Sequence, residues 1–185
     1  MKVDYSLDAK GLACPMPIVK TKKAMNDLID GQIIEVVATD RGSTADIAAW
    51  SETVGHQYLG TVEDGDVLKH YIRKCSNETV VEKLHGQIIH LDELLTTVSE
   101  GALLLDVREE AEYAFGHIEG AKSIPMGELE RRMNELEKDK SIYVICRTGK
   151  RSDLAAQKLA DNGFTNVWNV IPGMTQWKSA IKKSI

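Results

Sequence analysis

Three cysteines are the residues of this chain best suited to chemistry: Cys14, Cys75 and Cys146. Cys146 ends an apolar run and heads the stretch Cys146-Arg147-Thr148-Gly149-Lys150-Arg151. Three cationic side chains and a glycine lie in that loop, with an amphipathic stretch behind it. Backbone N–H groups in such a turn converge on an anion, and the N-terminus of a following helix reinforces them. Nearby positive charge and dipoles favour the thiolate over the thiol. The same donors would hold an anionic substrate, or a persulfide anion on the sulfur. The plain alternative is a buried strand-end cysteine followed by a solvated basic turn. The cationic loop supplies what a nucleophilic sulfur needs, which favours chemistry.

Cys14 lies in Gly11-Leu12-Ala13-Cys14-Pro15-Met16-Pro17. Proline suits the opening turn of a helix, where its missing N–H costs nothing. Cys14 is therefore expected at the positive end of a helix dipole, exposed and with a depressed pKa. Lys20, Lys22 and Lys23 either add to that potential or form a solvated face. Cys75 falls in no motif and reads as a small buried hydrophobe at a strand end. Three widely spaced cysteines without a C-x-x-C pair argue against a structural zinc site, and no metal is expected.

Two sets of elements must position these thiols. Residues 1–76 read strand, helix, strand, helix, strand, strand. Val3–Leu7 alternates like a half-buried strand. Pro17–Asp30 places Ile18, Met25, Leu28 and Ile29 on one helical face. Ile33–Thr39 reads as a strand, and Ser43 as the N-cap of a helix to about Val54. Two strands then flank Glu63-Asp64-Gly65-Asp66, the second being Val67–Lys74. This predicts an α+β two-layer sandwich on a mixed four-stranded sheet. Residues 77–85 read as a linker.

Residues 86–185 alternate strands (Gln87–His90, Ala102–Val107, Ile142–Cys146, Val167–Val170) with helices. The helices are expected at Asp92–Ser99, Glu109–Phe115, Gly127–Leu136, Ser152–Asn162 and Met174–Ile181. This rhythm predicts an α/β doubly wound parallel sheet, whose ligand site lies beyond the carboxyl ends of the strands, where Cys146 falls.

Composition narrows the function classes. The 185 residues carry 23 Lys and Arg against 28 Asp and Glu, so no basic surplus argues for nucleic acid. The longest apolar run, Ile142–Cys146, is far short of the roughly 20 residues that span a membrane. The first residues lack the apolar core of a signal peptide, so a cytoplasmic protein is expected.

Two resemblances sharpen these expectations. Residues 86–185 resemble a single-domain rhodanese. One signature runs through Asp106-Val107-Arg108, Glu112-Tyr113, Gly116-His117-Ile118-Glu119-Gly120-Ala121 and Ile124-Pro125. The other runs from Cys146 to Ser152, then Ala155-Ala156, Leu159, Gly163-Phe164, Val167, Gly173 and Trp177. Pro172 departs from it, standing where a second glycine is common. The resemblance implies sulfane-sulfur transfer through a persulfide on Cys146, with Arg147, Thr148, Gly149, Lys150 and Arg151 as the substrate cradle. Cysteine phosphatases use a similar loop with arginine six positions on; here Arg151 is five on and Ser152 is sixth, a tighter ring that favours sulfur over phosphate. Arg108 and His117 read as structural supports, with Asp106 or Glu112 as partner for Arg108.

Residues 1–76 resemble the TusA-like (SirA-like) sulfur carriers. Gly11, Leu12, Cys14-Pro15, Pro17, Lys22-Lys23, Thr39-Asp40, Ser43, Asp46-Ile47, Trp50 and Gly55-His56 carry the match. That resemblance gives Cys14 the role of persulfide carrier. His56 reads as a strand-entry support and Asp40 as shaping a turn.

Together these imply a sulfurtransferase with an attached carrier. Thiosulfate, a small persulfide or a persulfidated cysteine desulfurase loads Cys146. A thiol acceptor, Cys14 or an outside partner, then takes the sulfur. No cofactor is implied beyond the cysteine persulfide. Tethering raises the effective concentration of one thiol around the other. Nine linker residues span at most roughly 30 Å, so the alternative is transfer between subunits of a homodimer. The direction between Cys14 and Cys146 stays open. The competing function is a persulfide or redox sensor whose thiols are modified without turnover.

Overall fold

A computed structural model describes residues 2–75, 85–97 and 101–185. The chain divides into two compact units, Met1–Thr79 and Val80–Ser184. Of the expected linker, residues 77–84 lie outside the described residues, as do 98 and 99 of the helix expected at 92–99.

The first unit runs β1 (Tyr5–Asp8), α1 (Met16–Asn26), β2 (Ile33–Ala38), α2 (Ser43–Thr53), β3 (Gln57–Asp64) and β4 (Val67–Arg73). The sheet order is β1-β2-β4-β3. β1 and β2 are parallel, and the other pairs antiparallel. Alternate residues Ile34 and Val36 of β2 and Ile72 of β4 meet Met25, Leu28 and Ile47 of the helical layer in one core. This is the mixed-sheet sandwich expected. α1 stops at Asn26 rather than Asp30, and Ile29, assigned to its apolar face, is 70% exposed.

Ser43 is the first residue of α2, and the N-cap is Gly42. Its hydroxyl instead donates to the Asp40 carbonyl at 2.5 Å and lies 2.9 Å from Nε2 of His70. A hydroxyl has one hydrogen, so Nε2 of His70 must donate to Ser43. Nδ1 of His70 then accepts, with the hydroxyls of Tyr58 and Thr61 both at 3.0 Å. Burial pushes the His70 imidazole down to about 4, so it is neutral at pH 7. This buried network ties β4 and β3 to the first turn of α2.

The second unit runs β5 (Ile88–His90), α3 (Leu91–Thr97), β6 (Leu103–Asp106), α4 (Glu110–Phe115), β7 (Lys122–Ser123), α5 (Leu129–Arg132), β8 (Ile142–Ile145), α6 (Lys150–Asp161) and β9 (Val167–Ile171). The sheet is parallel throughout, in the order β5-β9-β8-β6-β7. On central β8, Ile142 and Val144 join a core with Leu105 and Leu159. Tyr143 and Ile145 join another with Ile89, Leu94 and Val170. A strand buried on both faces reads as a continuous apolar run, which is why β8 was legible.

Two expected helices are not formed as drawn. Over Gly127–Leu136 the chain makes two 3-10 turns around the four-residue α5. Gly127 lies at its start, where it weakens a helix. Over Met174–Ile181 only the 3-10 turn Met174–Gln176 forms. The Met174 and Thr175 amides there serve the carbonyls of Cys146 and Arg147, and Lys182 pairs with His117 through both backbone groups. The chain is held by neighbours rather than by itself. β7, two residues long, gave no sequence signal.

Candidate functional site: two thiols in opposite surroundings

Cys146 follows β8 at the carboxyl end of the central strand, fully buried. Gly149 takes φ +91° and caps α6. Its N–H donates to Cys146 Sγ at 3.2 Å. The Ser152 hydroxyl lies 3.3 Å from the same sulfur as a donor. The carbonyls of Cys146 and Arg147 accept from Met174 N at 2.9 Å and Thr175 N at 3.0 Å. In a trans peptide C=O and N–H point oppositely, so the Arg147 and Thr148 amides point away from that segment. The first-turn amides of α6 have no carbonyl one turn back within the helix to bond. The loop thus offers donors, which suits a sulfur anion.

Gly173 makes the clamp possible. It sits at φ +92°, ψ −166°, a region open essentially to glycine alone. A Cβ there would meet the Cys146 carbonyl oxygen at 2.5 Å and that of Arg147 at 2.8 Å. Gly173→Ala should therefore cost about 3 kcal/mol in a urea melt and lower sulfur transfer as well. An unchanged melt and rate would mean the clamp does not shape the loop. Pro172, the departure from the family pattern, leaves this glycine in place.

Thr148 is exposed, and Arg147 and Lys150 are half-buried around the loop. Arg151 is turned elsewhere. Its guanidinium grips Glu112 of α4 through two bonds of 2.7 and 2.9 Å. Burial opposes the Arg151 charge, but the Glu112 hydrogen bonds and charge outweigh it and hold the group firmly protonated. Glu112 also accepts from the Glu109 amide at 2.9 Å, closing a capping box on α4. Glu112 therefore belongs to Arg151, and Asp106 is the partner of Arg108, with Arg108 Nε and NH2 on its carboxylate. His117 stacks on Tyr113 at 3.7 Å and meets its carbonyl, a supporting role.

Sequence reasoning passed over Ser152 as a donor and Asn169 altogether. Asn169, 1% exposed, meets Ser152, Gly149 and Asp153. Ser152 was visible as the sixth position of the loop. Asn169 carried no signal, being one polar residue in an apolar strand.

Cys14 is exposed, just before α1. Tight turns set it there: Gly11 at φ +72° donates to the Thr39 hydroxyl at 2.9 Å, and Met16 N bonds Ala13 O. The expected depressed pKa is overturned. A hydrogen bond with the Asp46 carboxylate of α2 raises it first; partial desolvation and the charges of Asp46 and Asp40 add to this. Asp46 and Asp40 thus oppose, at this thiol, the favourable end of the helix dipole. Asp46→Asn should move the pH midpoint of Cys14 alkylation downward; an unmoved midpoint would show that the carboxylate does not govern the thiol. Asp40 shapes the turn as read, accepting from Gly42 N at 3.3 Å. His56 Nδ1 lies 3.1 Å from the Cys75 carbonyl, and Arg73 donates to Cys75 Sγ at 3.2 Å.

Among the described residues no helix is long and apolar enough to cross a membrane, and no group of three metal-ligating side chains gathers.

Known proteins divide the chain in the same way. The family model described as Sulfurtransferase TusA matches residues 5–74, and that of the Rhodanese-like domain matches 90–180. YrkF of Bacillus subtilis, named as a candidate sulfur carrier protein, is 48% identical over 179 residues, covering 96% of this chain and 97% of YrkF. The sulfur carrier protein TusA of Allochromatium vinosum is 39% identical over 71 residues, 38% of this chain and 93% of its own length. The crystal structure of a rhodanese-like domain protein from Staphylococcus aureus is 32% identical, covers 52% of this chain and 97% of that one, and has a TM-score of 0.50.

Proposed function

Because this chain belongs to the TusA sulfurtransferase and rhodanese-like families, one in each unit, we propose that it moves sulfane sulfur from a small donor through Cys146 to Cys14. Sulfur carriage and transfer is the work of both families. The relay is the finer reading, and the observation that carries it is the contrast between the two thiols. Cys146 Sγ faces two donors, and Cys14 faces a carboxylate.

In the first step the Cys146 thiolate attacks the sulfane sulfur of thiosulfate. The donor's S–S bond breaks, sulfite leaves with the electron pair, and Cys146 becomes a persulfide. The cradle of Arg147, Thr148, Gly149, Lys150 and the first-turn amides of α6 holds the anion during this step. Arg151 contributes charge while anchoring the loop to Glu112. In the second step the Cys14 thiolate, its proton released to solvent or Asp46, attacks the outer sulfur. The Sγ–S bond breaks, and the pair returns to Cys146 Sγ, where Gly149 and Ser152 receive it.

The asymmetry favours this direction. Two donors at Cys146 Sγ receive the leaving thiolate, and a more basic thiol is the stronger nucleophile once ionised. Cys14, made more basic by Asp46, accepts sulfur well and releases it reluctantly, so the next acceptor must activate it. A protein partner of the sulfur-relay kind fits that need, and a persulfidated desulfurase is an alternative donor to thiosulfate. Steady-state turnover with thiosulfate and cyanide tests the enzyme reading. Continued thiocyanate formation supports it; a single equivalent of modified thiol and no turnover would make the chain a sensor.

A further inference from the structure

Beneath Cys146 lies a buried chain of polar groups that the mechanism above uses only at its end. The Ser152 hydroxyl has one hydrogen and two acceptors in reach: Asn169 Oδ1 at 2.6 Å and Cys146 Sγ at 3.3 Å. The orientation of Asn169 follows from its other neighbours. The Gly149 carbonyl at 3.2 Å and the Asp153 carboxylate oxygen at 3.3 Å can only accept from it. Both must face Nδ2, which leaves Oδ1 to Ser152. Asp153 is itself fixed by the His85 amide at 3.3 Å. Ser152, Asp153 and Asn169 are each at most 4% exposed, so no bulk water substitutes for a lost partner.

We propose that Asn169 sets the leaving-group power of Cys146 by competing with its sulfur for the single hydrogen of Ser152. While the sulfur is neutral, as thiol or persulfide, it is a weak acceptor. Ser152 then donates to Asn169. When the Sγ–S bond breaks and the electron pair returns to Sγ, the sulfur becomes an anion. A charge-assisted hydrogen bond is roughly twice as strong as a neutral one. The hydroxyl turns to Sγ, and Asn169 Oδ1 gives up its donor. Asn169 thus steadies the neutral state of the sulfur, and Ser152 the anionic state. The outer sulfur goes to the attacking acceptor, and the switch itself needs only the rotation of the Ser152 hydroxyl.

Two neighbours in one network should therefore respond in opposite senses. A merely structural role would give both substitutions the same sign. The inference rests on Cys146 being the reacting sulfur, but it is read without any sulfur donor. In the full chain, iodoacetamide alkylation of Cys146 is followed against pH by the mass of its peptide. Asn169→Leu should lower the midpoint by about half to one pH unit, and Ser152→Ala should raise it by a similar amount. In a Ser152→Ala background Asn169→Leu should have no further effect, because no hydrogen remains to compete for. Asn169→Ala is judged by the same signs should the leucine variant fail to fold. Arg147, Lys150, Arg151, Asp153 and Glu112, the charged groups around the chain, are unchanged in all of these. A midpoint that rises in the Asn169 variants, stays put, or shifts equally with and without Ser152 overturns the proposal. If instead the variants show these shifts while wild-type protein shows no sulfur turnover, the hydroxyl competition stands and the sulfurtransferase reading falls.

Discussion

Cys146→Ser should abolish thiocyanate formation from thiosulfate, lowering kcat by at least about a thousandfold, the scale on which loss of a covalent nucleophile acts. A serine oxygen at this site keeps the shape of the side chain and the bonds around it. It cannot accept a sulfane sulfur under these conditions. The two donors on Sγ, from Gly149 and Ser152, then face a group with no anion to offer. Cys14→Ser provides the contrast. The proposed relay lets cyanide take sulfur directly from Cys146, so its turnover should be unchanged when the carrier thiol is removed. Loss of cyanide turnover in Cys14→Ser with Cys146 intact would reverse the assigned roles.

Glu112→Ala is the second large effect, and it falls on stability. The Glu112 side chain is fully buried and that of Arg151 is 16% exposed. Removing one member of a buried pair leaves the other charge uncompensated, at a cost of about 3–5 kcal/mol. The same change deletes the capping-box bond to the Glu109 amide. For a unit of about 100 residues this lowers the melting temperature by roughly 15 °C or more. The first unit should melt unaltered, so the shift is read on the transition assigned to residues 80–184. A change under about 1 kcal/mol would place the pair in the class of solvated surface bridges. The variant also frees Arg151 from its anchor, so residual transfer should fall even at temperatures where the unit stays folded.

The fold was legible where local pattern and tertiary demand agree. The all-apolar β8 and the alternation of β2 announced a strand buried on both faces and one half-covered by helices. Reading failed where distant groups decide. The stretch after Gly173 looks helical in sequence. Its amides are claimed by the Cys146 loop and its end by His117, so a turn and an extended tail form instead. Cys14 shows the same limit for the site. Its exposure followed from the local Cys-Pro-Met-Pro pattern. Its raised pKa depends on Asp46, 32 positions away in sequence and brought near only by folding. Arg151 was read as part of the loop's cradle, yet the group it grips comes from α4. Asn169 had nothing local to mark it.

Sulfur is expected to reach Cys14 by way of Cys146. Intact-mass analysis of the full chain after incubation with thiosulfate tests it most directly, with the added sulfur located by peptide mass. Wild-type protein should gain sulfur on Cys146 and on Cys14, and Cys75→Ser should behave identically. In Cys146→Ser, Cys14 should stay unmodified. Cys14 loading as readily in Cys146→Ser as in wild type, from the same donor, would contradict the relay.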